Sequence, residues 1–189
     1  SIGGGICCFF SNPTIRDCRL EGNSAGYAGG GISCHNLSDA PAISNCIVRG
    51  NSSGLLGGGI YCSWGLPKIT NCVVTGNSSA SDGGGLRCWN NMFMRIKHCT
   101  ITGNQATDYG GGAACARGSS IFYNCILFDN RAADGEQLSL RGDDPNSYVG
   151  LAYNDIEDSE QSIYVESGCT LNRIIGNINI DPCFFIIHP

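Results

Sequence analysis

The stretch Gly57-Gly58-Gly59-Ile60-Tyr61-Cys62, continued by Pro67, Ile69-Thr70-Asn71-Cys72-Val73-Val74 and Gly76-Asn77, decides how the chain is read, because it returns along the sequence. Glycine triplets begin at Gly3, Gly29, Gly57, Gly83 and Gly110, each followed by two residues and a cysteine. In step come Asp17-Cys18, Asn45-Cys46, Asn71-Cys72, His98-Cys99 and Asn124-Cys125. A third set follows: Gly22-Asn23, Gly50-Asn51, Gly76-Asn77, Gly103-Asn104 and Asp129-Asn130. A period of roughly 26–28 residues marks a solenoid, whose units bury their apolar faces only by stacking on one another.

The unit contains three short strands. After each triplet, two inward candidates flank one outward residue: Ile6 and Cys8, Ile32 and Cys34, Ile60 and Cys62, Leu86 and Cys88, Ala113 and Cys115. A second apolar column is Ile15, Ile43, Ile69, Ile96 and Phe122, and a third is Leu20, Val48, Val74, Ile101 and Leu127. Alternation of this kind describes strands with one buried face, and no window carries a helical period. The step from the second cysteine to the next triplet is 11 residues each time, whereas the step from first to second cysteine varies between 10 and 12. Insertions therefore fall at the corner that collects Pro13, Pro41 and Pro67. Asparagine suits the constant corners, since it tolerates left-handed backbone. Stacked copies would lie about 4.8 Å apart, close enough for amide-to-amide bonds.

The expected fold is all-β, a right-handed parallel β-helix. Residues 1–134 form five regular coils, and 135–189 form degenerate coils of the same domain in which leucines replace the cysteines. The net charge is −5, and residues 129–189 hold 11 of the 16 acidic residues but 3 of the 11 basic ones. That balance argues against a nucleic-acid partner. No run of 18 apolar residues is present, so no membrane insertion of this segment is expected. The chain begins in mid-coil and stops soon after Phe184-Phe185, which reads as a piece of a longer polypeptide with flanking domains. Its open strand edges invite end-to-end self-association.

The repeat resembles the right-handed parallel β-helix repeat proteins of bacteria, whose units read G-G-I-x-C, then P-x-I-x-N-C-x-I-x-G-N-x-A. The stretch Tyr153-Asn154-Asp155-Ile156-Glu157, with Gly168-Cys169 and Asp181-Pro182-Cys183-Phe184, is similar to the close of such a block. More distantly the chain resembles the polymorphic outer-membrane adhesin repeats and the pectate-lyase-like superfamily. The resemblance implies an extracellular or cell-surface setting. It does not transfer an activity, because the matching residues are those that build coils.

Ten of the 13 cysteines fall in two inward columns and are expected to pack mainly as small reduced apolar residues, with disulfides the alternative. Cys7 faces outward and is the reactive candidate. Asn36-Leu37-Ser38, Asn51-Ser52-Ser53 and Asn77-Ser78-Ser79 match the glycosylation pattern, although Asn51 and Asn77 read better as corner residues.

Candidate chemistry lies on the outward face of the glycine-triplet strands, with Cys7, Ser33, Tyr61, Arg87, Ala114 and Ser139 in one outward column. Tyr61, Trp64 and Trp89 are rings on which a sugar would stack, and Arg87, Arg117 and Arg141 match carboxylates of an acidic polysaccharide. Asp82, Asp108 and Asp134 precede the triplets on neighbouring coils and are the candidate calcium ligands. The lyases of the resembling superfamily use such a calcium together with a basic residue, here Arg87 or His35, with Asp82 and Asp108 as the accompanying acids. Asp143 and Asp144, with Asp108 or Asp134, are the nearest thing to a hydrolytic pair, although a turn accounts for Asp143-Asp144-Pro145-Asn146 as well. His98 reads as structural, and His188 lies at the end of the chain. Thr75, Thr100 and Thr102 only approximate the regular array that binds ice. Two readings follow: a structural spacer or a carbohydrate- or partner-binding module, and, alternatively, a polysaccharide lyase or glycosidase.

Overall fold

Successive coils lie directly over one another, and each strand pairs in parallel with its equivalents before and after. The computed structural model describes residues 1–36, 40–142, 147–158 and 161–182. The first sheet has seven strands: Ile6–Phe9, Ile32–His35, Ile60–Ser63, Leu86–Trp89, Ala113–Ala116, Leu138–Arg141 and Ile163–Val165. The second also has seven, from Thr14–Arg16 through Lys68–Thr70 to Thr170–Ile175. The third has six, from Arg19–Glu21 to Asp155–Ile156. The described residues contain no helix, and so none that is long and apolar enough to cross a membrane.

One expectation needs correction. The first four coils have a fourth strand, Ser24–Ala25, Ser52–Ser53, Ser78–Ser79 and Gln105–Ala106. These strands are two residues long and bury only Ala25, Ser53, Ser79 and Ala106. Such small side chains leave no apolar alternation to read.

The three inward columns pack into one continuous core, with Ile32, Ile60, Ile69, Ile96, Val48 and Leu127 fully buried. Where the repeat varies, volume is compensated within the coil: Ala113 stands where its neighbours have Leu86 and Ile60, and Phe122 replaces isoleucine in the second column. Cores tolerate swaps that conserve total volume.

The corners explain the two polar columns. Asp17, Asn45, Asn71, His98 and Asn124 all adopt positive φ, between 51° and 55°, the conformation for which asparagine and aspartate are enriched. The cysteine that follows donates its thiol back to the carbonyl two residues earlier, as in Cys46 Sγ to Ser44 O at 3.1 Å and Cys99 Sγ to Lys97 O at 3.2 Å. The described cysteines are free, and eight of them are buried. Burial, the largest cause, pushes the Cys46 thiol up to about 11, and the hydrogen bond with Cys125 is the main reason Cys99 rises to about 12.

At the other corner each buried asparagine is saturated. Asn77 Oδ1 accepts from both the backbone N–H and the side-chain amide of Asn51, at 2.9 and 3.0 Å. Its own amide donates to Val48 O and Asn104 Oδ1, both at 2.9 Å. The ladder runs Asn23, Asn51, Asn77, Asn104, Asn130 and ends on Gln137, which bonds Glu157. A shorter ladder starts where the cysteines stop: Asn154 takes the place after Cys125 and bonds Asn177. Asn51 and Asn77 are 1% exposed and so are closed to glycosylation; Leu37 and Ser38 of the Asn36 motif lie outside the described residues.

Two measurements check this packing. Asn77→Leu keeps the branched shape but strands two donors of Asn51 and the Val48 carbonyl. At about 1–3 kcal/mol for each unsatisfied buried group, it should cost about 3 kcal/mol or more. For a chain of this size that is a drop of about 6–12 °C in the melting midpoint by circular dichroism. An aromatic disulfide reagent at neutral pH should label exposed Cys7 first, and the eight buried cysteines only on unfolding. Rapid labelling of those eight in the native protein would contradict the packing.

Candidate functional site

The first glycine of each triplet sets the geometry of the outward face. Gly57, Gly83 and Gly110 have φ of 60°, 71° and 66°, a turn that brings the chain back over its own strand. A Cβ on Gly83 would lie 3.0 Å from that of Arg87, and one on Gly110 only 2.8 Å from that of Ala114. The second glycine is required for a different reason: a Cβ on Gly58 would lie 2.2 Å from Ser78 O and 2.5 Å from Gly84 O of the next coil. The fold-back covers the column expected to be open. Ser33, Tyr61, Arg87, Ala114 and Ser139 are all buried, between 0% and 6% exposed; only Cys7, on the first coil, is exposed.

Asp82, just before the Gly83 triplet, is carried by the same turn onto Arg87. Asp82 Oδ2 lies 3.4 Å from Arg87 Nη2 and 3.6 Å from Arg141 Nη1, with the Arg87 side chain 5% and the Arg141 side chain 31% exposed. Burial lowers the Arg87 guanidinium below its ordinary range, opposed by the charge of Asp82. The strand Ala113–Ala116, between those of Arg87 and Arg141, presents Ala114 and Ala116 outward, paired with Arg87 and Trp89 on one side and Ser139 and Arg141 on the other. With alanine in place of a long side chain at position 116, between Trp89 and Arg141, a cavity of about 230 Å³ opens there. Its walls are Asp82, Arg87, Trp89, Ala116, Arg117, Arg141, Gly142 and Glu166.

The rings hold the guanidiniums in place. Those of Arg87 and Arg117 each lie 5.1 Å from the Trp89 ring centre, and that of Arg141 lies 3.6 Å from the Tyr109 ring centre. Trp89 therefore orders arginines, where the sequence suggested a bare platform for a sugar. Glu166 accepts from the Gly142 N–H at 2.7 Å.

Five of the expected residues meet in this groove: Asp82, Arg87, Trp89, Arg117 and Arg141. Others stand apart. Tyr61 is buried and packs 4.7 Å from His35, which stacks on Phe9 at 4.9 Å. Trp64 is exposed and does not line the groove. His35 lies two coils before Arg87, with Nδ1 3.4 Å from Ser63 Oγ. The three aspartates do not share a column. Asp82, Tyr109 and Asp134 are successive partners, so Asp108 falls one residue out of register and points elsewhere. Asp108 accepts from Ser81 Oγ at 2.9 Å and is exposed, while Asp134 lines a separate cavity of about 340 Å³. Among the described residues no group of three or more His, Cys, Asp or Glu is placed to hold a metal ion. Asp143, Asp144 and His188 lie outside the described residues. Thr75 and Thr102 share a column with Arg49 and Phe128, while Thr100 stands in another between Val73 and Ile126, so they form no regular array.

Glu166 and Tyr109 were not anticipated. Tyr109 is the residue before Gly110, the position that Asp82 holds before Gly83, so the register of the triplets was signal enough. Glu166 comes from the degenerate coils, where no repeat marks it.

The pattern of four parallel sheets defines a β-helix repeat module. The family model described as the right handed beta helix region matches residues 1–93, just under half of the chain, and the same in-register parallel strands continue beyond them, so the β-helix architecture runs on past the matched part. No curated protein and no solved structure matches it.

Burial lowers the His35 imidazole from its ordinary value near 6.5. The unfolded chain then takes the proton before the native one does, so stability contributed here is complete above about pH 6.5 and is lost as the pH falls below it. Between about pH 7 and 5.5 the melting midpoint should decline on acidification, and His35→Phe, which keeps the ring stack, should flatten that slope. An equal slope in both proteins would sink this account.

Proposed function

We propose that this β-helix is a rigid module of an extracellular or cell-surface protein that recognises carbohydrate or a surface partner through the groove over Ala116. The carrying observation is the break in the outward ladder of the first sheet: Ala116, between Trp89 and Arg141, leaves a walled cavity lined by three arginines, a tryptophan and two carboxylates. Convergent polar groups around one concavity are the usual mark of a binding site. At about 230 Å³ the cavity is smaller than the roughly 300–1,000 Å³ of sites that enclose a drug-sized ligand. It suits one substituent of a longer molecule lying along the sheet. The cavity of about 380 Å³ beside Thr102 and Phe128 is larger but has no basic side chain in its wall.

The alternative, a polysaccharide lyase or glycosidase, draws on Asp82 and Glu166 lying in the same groove. Both carboxylates are already engaged, Asp82 by two arginines and Glu166 by a backbone N–H, and His35 is two coils distant. Recognition is therefore the better-supported reading. A screen against neutral and acidic polysaccharides, with calcium and with chelator, following both binding and chain cleavage, tests it. Binding without cleavage is expected. Cleavage abolished by chelator would replace recognition with lyase activity, and silence on every glycan would leave a structural spacer.

A further inference from the structure

We propose that the groove over Ala116 is a seat for one oxyanion, a carboxylate or a sulfate carried on a saccharide, held between Arg87 and Arg141. The proposal rests on the recognition reading and names the chemistry its site selects.

The first support is unmet donor capacity. Arg87 Nε and Arg141 Nε are both enclosed and have no hydrogen-bond partner, and the Arg87 side chain is only 5% exposed. A guanidinium presents five donors, and burying one without an acceptor is costly. The second is the way Asp82 is shared. One carboxylate oxygen faces two guanidiniums at 3.4 and 3.6 Å, beyond the roughly 2.7–2.9 Å of tight charge-assisted bonds. The internal anion thus holds the two cations near each other without saturating either.

The third support is shape. Ala116 forms the floor between the strands of Arg87 and Arg141 and leaves room for a group of a few heavy atoms. Tyr109 and Trp89 fix the guanidinium planes beforehand, so little side-chain freedom is lost when an anion arrives. The protein as a whole carries −5. A basic groove in an acidic molecule therefore draws an anion to one place rather than to the surface at large. The planar, two-pronged donor set of arginine fits a carboxylate or a sulfate equally, and discriminates against an uncharged sugar.

Titration calorimetry with hexuronate, sulfated-galactose and uncharged galactose oligomers of equal length tests this on the intact chain. Binding of an acidic series, weakening with added salt, and none of the uncharged series at the same concentration is expected. Arg141→Gln should raise Kd about tenfold or more. Ala116→Gln, which fills the cavity and leaves both arginines in place, should abolish binding, with the melting midpoint showing that each variant is folded. Whichever acid series binds more tightly assigns the anion. Should Arg141→Gln fail to fold, Ala116→Gln decides. Equal binding of the uncharged oligomer that Ala116→Gln abolishes, or acidic binding unchanged in folded Arg141→Gln but lost in Ala116→Gln, would overturn the anion seat and leave recognition through the groove standing. Binding unchanged in folded Ala116→Gln would overturn both. A folded protein that binds no oligomer of any series would overturn both.

Discussion

Every coil of this protein buries a corner, and a buried corner has backbone groups that no strand can satisfy. The asparagine ladder meets that demand. One amide per coil supplies a bond down to a carbonyl of the preceding coil, accepts a backbone N–H from that same coil, and joins the next amide in line. Since an orphaned buried donor or acceptor costs about 1–3 kcal/mol, the coils must stay in register to avoid paying it repeatedly. The isoleucine and cysteine columns then follow, because strict register places like over like and only side chains that stack can fill them. The cysteines serve two ends in this scheme: they are small enough for an inward column, and in the second column their thiols return to a carbonyl at the tight corner.

The glycine triplets answer a different constraint. The first residue turns with positive φ and the second lies against the backbone of the adjoining coil, so neither tolerates a side chain. The consequence reaches the candidate site. The turn folds the residues ahead of each triplet over the sheet, which places Asp82 on Arg87 and Tyr109 on Arg141. A structural requirement of the repeat has therefore built the enclosing wall of the groove, while departures from the repeat, Ala116 with Arg87 and Arg141, have built its chemistry. Such coil-specific side chains on a uniform scaffold are what distinguishes a site from a scaffold in a solenoid.

The degenerate coils extend the same logic with different means. Where the cysteine column ends, Asn154 and Asn177 take over with the amide pattern of the other corner, and Gln137 with Glu157 closes the long ladder. Glu166, from this region, closes the groove against Gly142. The last coils thus continue the stack and also finish a site begun two coils earlier.

The repeat itself was legible in the sequence because it is written at fixed spacing: the triplets, the two cysteine columns, the apolar columns and the stacked asparagines all occupy the places their periodicity implied. So was the membership of Arg87, Trp89, Arg117 and Arg141 in one neighbourhood, since register alone puts them on adjoining coils. Which of them is open to solvent was not. Alternation separates inward from outward, but it cannot report that a positive-φ glycine four residues earlier roofs over the outward residue, as it does for Tyr61 and Arg87. The register of Asp108 was legible as well: Tyr109, not Asp108, directly precedes Gly110, which puts Asp108 one residue out of line with Asp82 and Asp134 and facing the other way. The one-dimensional pattern determined which residues stack. Only the tertiary structure decided which of them are covered, and by what, because cover is supplied by segments whose path depends on the whole coil.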